Sequence, residues 1–100
     1  MAVTCTTLEQ VRENIDRLDR QIVALLAERG SFVSQAAGFK KDSDGVKAPQ
    51  RVEQVISKVR DLAQTLGANP DVTEQVYRAM IGAFIQQELA EHAALSQPTT

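Results

Sequence analysis

Apolar residues recur at three- and four-residue intervals from Leu8 through Val11, Ile15, Leu18, Ile22 and Leu25 to Phe32, Ala36 and Phe39. That spacing keeps one face of an α-helix apolar and comes close to the repeat of a coiled-coil seam. Thr6 and Thr7 stand before it, with Glu9 and Gln10 three residues further on, which is the spacing of a capping box. The pattern predicts one long helix over about residues 8–40. Gly30 and Gly38 weaken it locally, since Gly costs roughly 1 kcal/mol against Ala inside a helix.

Two breaks divide the remainder. Lys41-Asp42-Ser43-Asp44-Gly45-Val46-Lys47 reads as a polar loop with a Gly turn. Ala48-Pro49 then opens a second, short helix over residues 49–66, with Pro in the first turn, where its missing N–H does no harm. Val52, Val55, Ile56, Val59, Leu62, Ala63 and Leu66 form its apolar stripe, and Gly67 fits the position just past its end. Asn69-Pro70 restarts the chain as N-cap plus Pro. A third, medium helix over about residues 70–93 carries Val72, Val76, Tyr77, Met80, Ile81, Phe84, Ile85 and Leu89, and residues 96–100 form a tail. No strand-like alternation interrupts this. The expected fold is all-α: three helices, one long, one short and one medium, in a single domain over residues 1–100.

The long helix has a geometric consequence. Thirty-three residues at 1.5 Å each span about 50 Å, whereas a compact chain of this length is roughly 33 Å across. The other two helices are too short to cover the seam, and a second copy of the chain is the simplest cover. The expectation is an intertwined homodimer; a kink at Gly30 that folds the helix back is the competing arrangement.

Composition narrows the function. Eleven Lys and Arg against thirteen Asp and Glu give a net charge of -2, which argues against the basic footprint of a nucleic-acid binder. Only four aromatic residues, Phe32, Phe39, Tyr77 and Phe84, and no Trp argue against base stacking. Cys5 is the single cysteine, so no internal disulfide or zinc cluster is expected, and no spacing calls for a metal or cofactor. With no leader of basic then apolar residues and no apolar run long enough to span a bilayer, a cytoplasmic protein with no membrane association is expected.

The informative residues break the apolar pattern. Stepping along the first seam from Leu25 to Phe32 lands on Arg29. An arginine in a core register either snorkels its head outward or serves a bound anion, and the spacing leaves both open. On the third helix, the face carrying Tyr77, Ile81 and Phe84 continues to Glu88. That residue is either an exposed carboxylate at the stripe's edge or a desolvated carboxyl able to donate a hydrogen bond in its acid form. Arg12 lies one step off the seam and reads alone as a solvated residue. Lys40 and Lys41 both stand where a cation complements the end of the long helix, and spacing does not separate them. Arg51 occupies the first turn of the second helix, where a cation opposes the dipole and so points to another partner. His92, the sole histidine, falls near the end of the third helix and reads as a surface residue. Several cations and one carboxyl converging on a helical interior suit a small dianionic ligand; no nucleophile–base pair is evident.

The run Val11-Arg12-Glu13-Asn14-Ile15-Asp16-Arg17-Leu18-Asp19, followed by Ile22-Val23-Ala24-Leu25-Leu26-Ala27-Glu28-Arg29 and then Lys40 eleven residues on, resembles the opening helix of the all-helical (type II) chorismate mutases. The resemblance extends over roughly residues 7–92. It implies intertwined dimers of three-helix chains, with two active sites each built from both copies. It implies Arg29, Lys40 and Arg51 in one site, with Arg12 reaching in from the other copy, and a dicarboxylate substrate gripped by the arginines. Lys40 and Glu88 are then the catalytic pair at the ether oxygen of the enolpyruvyl group. A unimolecular Claisen rearrangement needs conformer selection and charge stabilisation, not a nucleophile.

Two departures bear on the substrate. Glu88 stands where most bacterial members carry Gln, although some eukaryotic mutases carry Glu. The stretch Ala48-Pro49-Gln50-Arg51-Val52 lacks the acidic residues typical of mutases there and, like Cys5-Thr6, resembles the isochorismate pyruvate lyase branch, which makes salicylate and pyruvate. That branch has Gln at the Glu88 position and a more aromatic third helix. Chorismate mutase is the leading expectation, the lyase its alternative, and a non-enzymatic helical dimerisation module the reading from outside the enzymes.

Overall fold

The structure, a computed structural model, describes residues 4–96; the start and the end of the tail, residues 1–3 and 97–100, lie outside the described residues. Four helices follow one another: α1 (Leu8–Ala37), α2 (Ser43–Lys47), α3 (Pro49–Leu66) and α4 (Pro70–Ser96). Among the described residues there is no strand. The all-α architecture is as expected, with three differences. The first helix stops at Ala37 rather than near residue 40, the loop holds the single turn α2, and α4 runs on to Ser96. The chain divides between Phe32 and Val33 into two compact units.

The first unit is the greater part of α1. Thr7 caps it, its Oγ1 accepting from the Gln10 N–H at 3.1 Å, while Gln10 Oε1 reaches back to the Thr6 N–H at 2.8 Å. The capping box is therefore closed through Thr6 rather than through the cap residue itself. The helix runs through Gly30 without interruption. Leu8, Val11, Ile15, Leu18, Ile22, Leu25 and Phe32 keep between 40% and 63% of their surface exposed. An apolar stripe of this length left in water calls for a cover.

The second unit is built on α3 and α4, which pack together and receive α2 against α4. Ile56, Val59 and Ala63 recur at helical spacing on α3 and are buried, together with Ala37, Val46 and Ile81. The corner between the two long helices is set by capping. Gly67 (φ 78°) lets the Ala68 N–H reach back to the Ala63 carbonyl at 2.8 Å, closing α3 with a Schellman turn. Asn69 Oδ1 then accepts from the N–H groups of Asp71 and Val72, opening α4.

Charges lace the two helices together. Arg78 on α4 makes a two-pronged bond to Glu53 on α3, both arms 2.9 Å, and a 2.7 Å bond from Nε to Glu74. Arg60 on α3 answers with bonds of 2.8 Å to Glu74 and 2.9 Å to Asp71. Hydrogen bonds from Arg78 hold the carboxyls of both Glu53 and Glu74 below their ordinary value.

Because these two carboxyls titrate lower in the folded chain, their contribution is fully present above the ordinary value of 4.5 and is lost as pH falls through the lower folded values. Arg78→Met should therefore flatten the fall of the unfolding midpoint below pH 4.5. Thermal melts of both proteins across that range check this; parallel declines would contradict it.

Candidate active site

Past Ala37 the backbone tightens. The N–H groups of Gly38, Phe39 and Lys40 bond to the carbonyls three residues earlier, at 3.0–3.3 Å. Gly38, a poor helix residue, sits where the α-helix gives way. This turn leaves Phe39, still in phase with the seam, 88% exposed and hands Lys40 to the second unit's interior.

Lys40 is held there from two helices. Its Nζ donates to Glu88 Oε2 at 2.6 Å, with the carboxyl side chain only 5% exposed and the lysine 26%. Its stem lies beside Gly45 of α2, where an added Cβ would stand 3.5 Å from Lys40 Cβ. Asp42 caps α2 through a 2.8 Å bond from the Gly45 N–H, and Val46 is buried. The turn α2 is thus a small wedge that carries a glycine against the lysine stem. Glu88 itself is placed by α4, on the face it shares with Ile81 and Phe84. A carboxylate this far from water needs a charged or donating partner, and Lys40 supplies it.

Arg51 lies in the first turn of α3. With Ala48, Pro49, Gln50 and Gln54 it lines an open concavity of about 500 Å³. Ala48 joins α2 to α3 in the left-handed region (φ 37°, ψ 61°), which costs a non-glycine residue about 1–2 kcal/mol. This kink sets the start of α3, and so the position of Arg51, at some expense in strain. Arg12 and Arg29 belong to the first unit. Arg12 is exposed on α1, and Arg29 is half-buried. Seventeen residues of continuous helix separate them, or about 25 Å along the axis, so their guanidinium groups cannot both grip one small ligand from a single copy.

Of the five residues singled out from the pattern, the structure brings Lys40 and Glu88 into direct contact. Of the two adjacent lysines, Lys40 is the one that contacts Glu88, while Lys41 is exposed. It also corrects His92. Expected at the surface, His92 is half-buried, and its Nε2 lies 3.2 Å from the Lys40 carbonyl oxygen. The neighbouring Glu91 accepts from Ser34 at 3.2 Å and from Gln87 at 3.3 Å. Glu88 and His92 are four residues apart and share a helix face. Among the described residues no three His, Cys, Asp or Glu side chains converge on a metal-sized space, and no helix is long and apolar enough to cross a membrane.

Comparison with known proteins now bears on this geometry. Residues 11–89 match the family model of chorismate mutase type II. The chain belongs to the type II chorismate mutase family. It is 31% identical over 85 residues to an isochorismate pyruvate lyase of Pseudomonas aeruginosa, covering 85% of this chain and 84% of that one. It is 24% identical over 75 residues to a chorismate mutase of Methanocaldococcus jannaschii, covering 74% and 76%. The matched segment of the type II model contains Arg12, Arg29, Lys40, Arg51 and Glu88.

The Lys40–Glu88 bond should matter to stability. Glu88→Ala strands a partly buried ammonium and should cost about 1–3 kcal/mol, whereas Glu88→Gln keeps an acceptor and should cost less. Denaturant unfolding of both variants checks the order; equal losses would contradict it.

Proposed function

We propose that this chain is a pericyclic enzyme that rearranges chorismate to prephenate in a cation-lined site completed by a second copy of the chain. The observation that carries the reading is the Lys40–Glu88 pair, an ammonium and a nearly dry carboxyl 2.6 Å apart, in a chain of the type II family. In the rearrangement the ether C–O bond breaks as a C–C bond forms, and negative charge gathers on the ether oxygen. Lys40 donates to that oxygen. Preorganised charge in a closed site is worth far more than in water, because nothing must reorient as the charge develops. Arg29 and Arg51 hold the substrate's carboxylates, and such forked pairs fix orientation as well as charge. Holding the chain of reacting atoms folded removes much of the entropic barrier.

The separation of Arg12 from Arg29 supports assigning Arg12 to the site of the other copy. The exposed stripe of α1 supports the dimer this requires, since packing it against a second α1 removes the large apolar surface from water. Sedimentation should give twice the chain mass; a monomer at micromolar concentration would contradict the composite site.

A second reading has its own support. The relative at 31% identity is named isochorismate pyruvate lyase, and Ala48-Pro49-Gln50-Arg51-Val52 resembles that branch. The same ether bond breaks in releasing pyruvate from isochorismate, so Lys40 serves either reaction, and the pocket around Arg51 selects the substrate. Purified protein offered each substrate separately should convert chorismate to prephenate, and Lys40→Met should lower kcat/KM about 10²–10³-fold. Salicylate from isochorismate alone would move the assignment to the lyase, and no turnover of either would reject both.

In this reading Glu88 acts by holding the Lys40 ammonium in place at 2.6 Å. Glu88→Gln, which keeps an acceptor for that ammonium, should retain more activity than Glu88→Ala. Equal rates in both variants and the wild type would remove Glu88 from the mechanism.

A further inference from the structure

Lys40 leaves α1 beyond its last full turn, in the region where helix carbonyls lack partners of their own. The Lys40 carbonyl finds one on another helix: His92 Nε2 of α4 lies 3.2 Å away. A carbonyl only accepts, so Nε2 must carry the hydrogen. One turn earlier on α4, Glu88 takes the ammonium of the same lysine at 2.6 Å. Lys40 is therefore gripped at both ends by one helix face, its main chain by His92 and its charged head by Glu88. A third tie, Ser34 to Glu91 at 3.2 Å, fastens the preceding turn to the same stretch of α4.

We propose that His92 is a positioning residue that acts through Lys40. By fixing the main chain at residue 40 it sets where the ammonium is presented, a constraint that Glu88 alone cannot impose on a side chain with four rotatable carbons. The inference rests on the proposed role of Lys40 at the ether oxygen. Misplacing a catalytic group by about 1 Å can cost a hundredfold in rate while leaving substrate binding largely intact.

His92→Leu keeps bulk and removes the donor; His92→Gln restores an N–H near the Nε2 position. His92→Leu should lower kcat about 10- to 100-fold with KM within about twofold, and His92→Gln should recover most of the loss. In a Lys40→Met background, adding His92→Leu should change the rate less than about twofold, because two residues acting through one group are not additive. The carbonyl carbon shift of Lys40 should move in His92→Leu and return in His92→Gln, and the ring nitrogen spectrum should show the proton on Nε2. A wild-type rate in His92→Leu, a His92→Gln no better than His92→Leu, full additivity with Lys40→Met, or a ring protonated on Nδ1 alone would each overturn the proposal. A wild-type protein inert toward both substrates would overturn the proposed function instead. The carbonyl shift would then still decide whether His92 holds residue 40.

Discussion

The second unit is organised around an ammonium and a carboxyl that satisfy each other almost out of water. Glu88 sits at a position where α4 would otherwise carry an apolar side chain, and a carboxylate there is tolerable only with a partner. The partner must come from outside α4, and it arrives on the turn that ends α1. The details between residues 38 and 48 serve that delivery: the tightened backbone after Ala37, the wedge of α2 with Gly45 against the lysine stem, and the strained Ala48 that turns the chain into α3. An ion pair of this kind adds little net stability, because desolvation offsets attraction. In the proposed site it provides a donor already aimed and partly shielded from solvent.

The first unit imposes a different constraint. From Leu8 to Phe32, α1 carries an apolar stripe that remains about half in water. In the proposed dimer, the surface that drives association and the arginine that completes a neighbouring site lie on the same helix. Folding, assembly and substrate binding then share one element, and a small chain obtains a closed site that it is too short to enclose alone.

Much of this was legible in the residues. Thr7 with Gln10, Gly67, and Asn69-Pro70 mark helix ends through side-chain and backbone chemistry that acts locally, so their signals survive in any context. The break in the apolar face at Glu88 was legible for the same reason: periodicity states what a position should be, and a charge there stands out. The end of α1 was not, because Phe39 keeps the three–four spacing although the helix has already given way at Gly38. A five-residue helix such as α2 is too short to show a period; only Asp42 with Gly45, a cap without a stripe, announced it. His92 was read as a surface residue because it falls near the end of the third helix. Its partner is a main-chain carbonyl 52 residues away, and no pattern in side-chain types encodes a bond to a backbone atom.

In the proposed dimer each site takes Arg29 from one copy and Arg12 from the other. Arg12→Ala and Arg29→Ala proteins, each inactive alone, are unfolded together, refolded as a mixture and assayed for chorismate turnover. Half the dimers should then be mixed, each with one site holding both arginines. Activity should return to about a quarter of the wild-type level, by the closed two-fold symmetry of such a pair. A mixture that stays as inactive as its components, although mixed dimers have formed, would contradict the shared site.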